Sequence, residues 1–247
     1  MDEFTFKEID KEGMDILNVI AEADKFNEWM YNTIRPFTKG LILEVGSGIG
    51  NISSFFLKNG ASIYLSDIRN NYCAFLKKEF GNDQGVKGII QLDLIDKDFD
   101  NKFGYLFNTF DSIFALNVVE HISDDDLAIK NSKKLLKPGG NLIILVPAYQ
   151  WLYNKFDKEL EHYRRYTRKS LKKLFSSHMK IIHSQYFNLA GIFGWFLSGS
   201  LLKKKTIPAG QMKLYNKLVP LFKLADKIIV NQLGLSVIVV GQKPANI

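Results

Sequence analysis

One cysteine, six prolines and four histidines in 247 residues exclude several kinds of chemistry at the outset. A lone Cys73 cannot form an internal disulfide, which fits a reducing, cytoplasmic setting. His121, His162, His178 and His183 show no ligand spacing of the H-E-x-x-H kind, so no metal is expected. The longest uncharged run extends from Ile181 to Leu202, but its start belongs to the strand expected at 180–186, and Phe187 to Leu202 beyond it supplies sixteen residues. That is short of the ~20 needed to span a bilayer as a helix. The opening MDEFTFKEID is acidic and has no apolar core, so it does not read as a secretory signal. Neither repeats nor low-complexity segments are visible. What is present is ordinary globular material: 46% hydrophobic, 24% charged, with a net charge of +7. The basic balance permits contact with anionic lipid, nucleic acid or an acidic substrate, or serves solubility alone.

Periodicity predicts a chain of alternating strands and helices. Phe26, Trp29, Met30 and Ile34 recur at helical spacing, with Asp24 ahead as a candidate cap. Strands are expected at 41–45, 62–66, 86–91, 111–116 and 141–146. Helices between them carry apolar stripes such as Tyr72, Phe75, Leu76 and Phe80. Ser123, followed by three aspartates, marks a helix start. Thr167 is a candidate cap for 170–175. Two later strands are expected at 180–186 and 235–240. The alternation implies an α/β, doubly wound sheet, mostly parallel, with right-handed crossovers. In such sheets ligands bind beyond the carboxyl ends of the strands.

The residues at those ends are polar in a consistent way. The first strand runs into Glu44-Val45-Gly46-Ser47-Gly48-Ile49-Gly50-Asn51, whose glycines allow a tight turn and close approach of a ligand. Asp67 follows the second strand, 21 positions after Gly46, where a carboxylate can accept from a ribose diol. Asp93 and Leu94 follow the third and suit the amine and flat face of adenine. Asn117 follows the fourth, in Asn117-Val118-Val119-Glu120-His121. A dinucleotide fingerprint fits less well: its third glycine comes one position early, at Gly50, and Glu44 is an unusual residue for such a strand.

The segments LEVGSGIGN, LSD, QLD, ALNVVEHI, LLKPGG and NLIILVPA, in that order over roughly residues 25–150, resemble the class I S-adenosylmethionine-dependent methyltransferases, small-molecule branch. The resemblance implies a seven-stranded sheet closed by an antiparallel last strand, and S-adenosylmethionine as cofactor. It implies that Glu44, Gly46, Ser47 and Gly48 shape the cofactor turn. It also implies that Asp67 and Ile68 meet the ribose, Asp93 and Leu94 the adenine, and Asn117 the methionine end. The run His162-Tyr163-Arg164-Arg165-Tyr166 is similar to one found after the fifth strand in bacterial members. His121 and His162 are the candidate catalytic bases. Tyr163, Arg164, Arg165 and Tyr166 are the candidate acceptor residues, with Arg164 or Arg165 gripping an anionic group.

The expected organisation is one domain over 1–247. It has an N-terminal helical lid (1–40), a core (41–186), a helical insertion (187–231) and a closing strand (232–247). In the insertion Leu214, Leu218, Leu221, Ala225 and Ile228 share one side of a helix, lysines another, and Lys203, Lys204 and Lys205 precede it. Such a segment either caps the active site or lies in a membrane interface. The acceptor is expected to be a small molecule or lipid-linked. A nucleic-acid acceptor is disfavoured, since no N-P-P-Y-type segment follows the fourth strand. A non-catalytic, cofactor-binding partner of a membrane enzyme is the other alternative.

Overall fold

The computed structural model describes residues 11–201 and 209–245. Lys203, Lys204 and Lys205 therefore lie outside the described residues. Two helices, α1 (Lys11–Ala21) and α2 (Asp24–Ile34), precede β1 (Leu41–Val45). The chain then alternates through α3 (Ser53–Lys58), β2 (Ser62–Asp67), α4 (Asn70–Phe80), β3 (Val86–Gln91), α5 (Phe99–Phe103), β4 (Phe110–Leu116), α6 (Asp125–Leu135) and β5 (Leu136–Pro147). Two short helices, α7 (Lys155–Glu159) and α8 (Arg168–Ser176), lead to β6 (Lys180–Phe187). The insertion holds α9 (Leu189–Trp195), a π turn (Phe196–Leu201) and α10 (Ala209–Ile228), and β7 (Ser236–Gln242) closes the sheet.

The seven strands lie in the order β3-β2-β1-β4-β5-β7-β6. Pairing is parallel except where β7 runs against β5 and β6. The order reverses between β1 and β4, which places the binding crevice at their carboxyl ends. Both faces are covered, as the continuously apolar strands require. Leu43 and Val45 of β1 pack with Phe99, Ile129 and Phe175 on one face, while Ile42 packs with Trp29, Ile34, Phe56 and Val219 on the other.

Two expected caps are displaced. Asp24 is the first residue of α2 rather than its cap, and its carboxylate accepts from Asn216 Nδ2 of α10 at 2.6 Å. The cap of α6 is Asp124, not Ser123, with Oδ1 accepting from the Leu127 N–H at 2.9 Å. Thr167 caps α8 as the spacing predicts, in a reciprocal pair with Ser170.

The insertion forms a roof. Its two ends meet: the Leu235 N–H donates to the Asn188 carbonyl at 2.9 Å. A Cβ on Gly234 would stand 2.3 Å from the Phe187 carbonyl oxygen, so only glycine allows this approach. Asp226 of α10 accepts from the N–H groups of Asn188 (2.6 Å) and Leu189 (2.8 Å), fixing the roof to the start of α9. Phe26 of α2 packs edge-on against Tyr215 of α10 at 5.8 Å, which joins the N-terminal lid to the roof. Pro220 lies inside α10 and withholds one helical N–H.

Candidate active site

A cavity of about 1380 Å³ opens beyond the carboxyl ends of β1, β2, β3 and β4 and continues beneath α9 and α10. This exceeds the ~300–1,000 Å³ of a usual small-molecule pocket and leaves room for two reactants. Glu44, Gly46, Ser47, Gly48, Asp67, Ile68, Asp93, Leu94 and Asn117 all line it, although they come from four separate strand ends.

The turn after β1 is built for close approach. Gly46 and Gly48 have φ of +72° and +53°. A Cβ on Gly46 would fall 2.4 Å from Val118 Cγ2. Glu44 is buried and accepts from Ser53 Oγ, which ties β1 to the first turn of α3 across the glycine loop. Burial pushes its carboxyl up to about 8, against the Ser53 and Ser47 hydrogen bonds. Asp67 accepts from the N–H groups of Gly48 (3.1 Å) and Arg69 (3.0 Å). Burial raises its pKa, and these backbone donors oppose the rise. A carboxylate offers about four acceptor positions, so two bonds leave capacity for a diol. Asp93 Oδ1 accepts from the Ile95 N–H at 2.9 Å, which sets its carboxylate at the end of β3. Asn117 has φ +55° and donates its N–H to the Leu145 carbonyl at 2.8 Å. These residues fit an adenosyl cofactor: side-chain-free backbone at the turn, then acids at the next two strand ends.

The far end of the cavity is assembled from two loops. The Tyr163 N–H donates to the Glu120 carbonyl at 2.8 Å, joining the loop after β4 to the loop after α7. That bond brings His121 and His162 together, with ring centroids 4.6 Å apart and edge to face. His162 is buried, and its Nδ1 lies 2.9 Å from Asp157 Oδ1. The same oxygen accepts from Arg165 Nε at 2.7 Å. Burial lowers the His162 imidazole below the ordinary range, and Asp157 opposes it. His121 opens onto the cavity and is exposed there; the protein packed around its ring, and then the neighbouring His162, push its pKa down. Glu120 is fully buried, and neither carboxylate oxygen has a hydrogen-bond partner among the described residues. Burial pushes its carboxyl up to about 8.

The structure corrects two of the expected acceptor contacts. Arg164 does not line the cavity: it pairs with Asp125 Oδ2 at 2.8 Å and donates to the Ser123 carbonyl at 2.7 Å, pinning the start of α6. Tyr166 is buried outside the cavity, with its hydroxyl on the same Asp125 oxygen at 2.8 Å. Arg165 does reach the cavity wall, but its charge is spent on Asp157 and its guanidinium lies 4.6 Å over the Trp195 ring. Tyr163 lines the cavity. Asp157 and Glu120 are missing from the sequence-based set. Asp157 had a signal: the spacing Asn154-x-x-Asp157 is a capping-box pattern, and the Asn154 N–H donates to Asp157 Oδ2 at 2.9 Å.

Comparison with known proteins agrees with this geometry. The family described as "Methyltransferase domain" matches residues 43–142. A reducing polyketide synthase, Preu2 of Preussia isomera, is 34% identical over 104 residues, 41% of this chain and 4% of that protein. The ubiquinone/menaquinone biosynthesis C-methyltransferase UbiE of Cellvibrio japonicus is 26% identical over 137 residues, 53% of each chain. The chain thus spans about half of the second relative and a small part of the first. Among solved structures, phosphoethanolamine N-methyltransferase 2 of Haemonchus contortus in complex with S-adenosylmethionine superposes with a TM-score of 0.57 at 19% identity, over 87% of this chain and 52% of that one. At that identity the likeness shows a shared fold.

Proposed function

We propose that this chain, a class I S-adenosylmethionine-dependent methyltransferase by its domain and its fold, moves a methyl group from that cofactor to a small, largely apolar organic acceptor held under the roof. The observation that carries the reading is the single cavity: strand-end acids and a glycine turn at one end, paired imidazoles at the other, and room for both reactants. When bound, S-adenosylmethionine supplies a methyl group already activated by sulfonium. Asp67, Ile68, Asp93 and Leu94 would hold the adenosine half. Gly46, Gly48 and Asn117 would leave space for the methionine half. The chain's remaining work is to align the acceptor and exclude water, which can supply several powers of ten in rate.

An acceptor hydroxyl, amine or activated carbon must release a proton. His121 and His162 are the groups at that end able to receive it. With Nδ1 donating to Asp157, Nε2 of His162 would carry the lone pair, on a side chain that lines the cavity. Apolar roof residues, with Trp195, Met212 and Tyr215 in the wall, favour a lipophilic acceptor. The relatives named above, one in quinone and one in polyketide synthesis, support the same class.

The roof's outer side supports delivery from a membrane surface. Leu214, Leu221, Leu224 and Ile228 of α10 are exposed, with Lys213, Lys217 and Lys227 beside them. At 100° per residue the four apolar positions fall within an arc of roughly 80°. Phe193, Phe196 and Leu197 of the same insertion are exposed as well. Among the described residues no helix is long and apolar enough to cross a membrane, so any contact would be peripheral.

Calorimetric titration with S-adenosylmethionine and S-adenosylhomocysteine, with Asp67→Ala as control, tests the cofactor. Micromolar binding weakened at least tenfold by the substitution is expected. Binding of a nicotinamide dinucleotide instead would overturn the reading. Co-sedimentation with anionic vesicles, lost in Leu221→Asp, tests the membrane surface.

A further inference from the structure

We propose that Glu120, His121 and His162 form a divalent-metal site at the acceptor end of the cavity. The inference shares that end with the function proposed above but needs neither cofactor nor turnover to be tested. Three donor atoms, one from each residue, lie within 4.8 Å of one another. A two-histidine, one-carboxylate set with open positions is the donor chemistry of zinc and of non-haem iron or manganese. Its absence from the sequence reading has a simple cause. Chain spacing detects ligands on one helix, and these come from two loops more than forty residues apart in sequence.

Two further observations point to a cation. Glu120 is 0% exposed, and among the described residues neither of its oxygens has a hydrogen-bond partner. A buried polar group of that kind is costly unless something compensates it. His162 carries the second mark. Its Nδ1 is bound to Asp157, so Nε2 is the nitrogen left for a ligand. A carboxylate behind a histidine is the arrangement that fixes the ring and raises its basicity toward a metal. Asp157 is itself held by Arg165 Nε and by the Asn154 N–H. The loops cannot drift apart easily, because the Tyr163 N–H donates to the Glu120 carbonyl and the His162 N–H to the Asp157 carbonyl, both at 2.8 Å. Such a supported shell is what a metal site requires.

The charges are consistent. With an ion in place of the Glu120 proton, Glu120 and Asp157 would contribute two negative charges and Arg165 one positive. A divalent ion would leave one positive charge facing the cavity, suited to an acceptor oxygen. An ion there would bind that oxygen and lower its pKa, so that its proton would leave to water; both histidines would then be ligands, and their role as bases would belong to the ion-free chain.

The test uses the full chain, freed of metal with a chelator, and titrated with Co²⁺ and then Zn²⁺. One equivalent of Co²⁺ with visible d–d absorption, displaced by Zn²⁺, is the expected result. Glu120→Gln, His121→Gln and His162→Ala should each weaken binding by about 100-fold, and Asp157→Asn by ~10–100-fold. His178→Ala and His183→Ala should leave it unchanged. Cofactor titration of every variant shows whether the fold is intact. His121→Gln carries the decision if the buried variants fail to fold, because its side chain faces the cavity. Substoichiometric binding, or binding indifferent to His121→Gln or abolished by His178→Ala, overturns the site. Metal binding without cofactor binding would sink the methyltransferase reading alone. Cofactor binding without metal binding would sink only this proposal.

Discussion

The two ends of the cavity are built by different rules. At the cofactor end, each residue lining the cavity lies at or just beyond the carboxyl end of a strand, and its position is set by parallel pairing of neighbours such as Val45 with Ser66 and Ala115. At the acceptor end, the groups come from loops after β4 and α7, and they meet through one backbone bond and one buried aspartate. The first end depends on sheet topology, which many sequences can specify. The second depends on a local polar network that fails if a single member is lost.

Four measurements would break or sharpen this contrast. The largest effect is expected at Asp157. Asp157→Asn removes the negative charge shared by His162 and Arg165 and leaves a buried guanidinium without its counter-ion, which costs about 3 kcal/mol or more. Chemical denaturation should show that loss, with cofactor affinity at the permissive temperature nearly unchanged. An equal loss of cofactor affinity would show that the two ends are one unit.

Gly46→Val tests the converse. Left-handed φ and the close approach to Val118 make a side chain there strained by roughly 1–3 kcal/mol before any ligand contact is counted. Calorimetry should record about a 100-fold loss of S-adenosylmethionine affinity, while the His162–Asp157 pair remains visible as a protected imidazole proton in NMR.

The third prediction concerns pH. Glu44 and Glu120, one at each end, are pushed up to about 8 by burial. The folded chain keeps protons that the unfolded chain releases above its ordinary glutamate pKa of about 4.3. Their contribution is complete below that pKa and is lost as pH rises through about 8, with a slope of at most ~1.4 kcal/mol per pH unit for each group. The depressed imidazoles of His121 and His162 work in the opposite sense, lowering stability as pH falls below about 6.5. In thermal unfolding of the metal-free chain, these four groups should leave the fold most stable between about pH 4.3 and 6.5, where the two slopes oppose, with stability falling as pH rises from there through about 8, and Glu44→Gln should flatten that alkaline arm. An unchanged alkaline arm in that variant would mean Glu44 titrates normally.

The smallest effect is expected from Arg164→Ala. Its partly exposed pair with Asp125 supports α6 and does not reach the cavity. A change of about 1 kcal/mol or less in stability is expected, with acceptor KM essentially unaltered. A large KM change would restore Arg164 to the acceptor site.

The same contrast explains what could be read in advance. Strand positions were legible because buried parallel strands are short apolar runs, and the residues at or just past their carboxyl ends line the cavity. Val86–Gln91 and Leu41–Val45 fall where periodicity puts them. The acceptor end was only partly legible. The basic, aromatic run 162–166 drew attention to His162 and Arg165, but composition does not say which way a side chain turns. Arg164 and Tyr166 face Asp125, a residue read beforehand only as an acid near a helix start. Glu120 carried no signal either, since its burial arises from contacts distant in sequence.

One detail of the roof has a consequence for how such proteins diversify. Asn188 and Leu235 are hydrogen-bonded neighbours, although more than forty residues separate them. The segment between them can be exchanged for another of different length with little change in loop-closure entropy, because its two attachment points are already adjacent. The fold therefore carries a cassette: selection, or an engineer, can swap the ceiling over the acceptor without moving a strand that holds the cofactor.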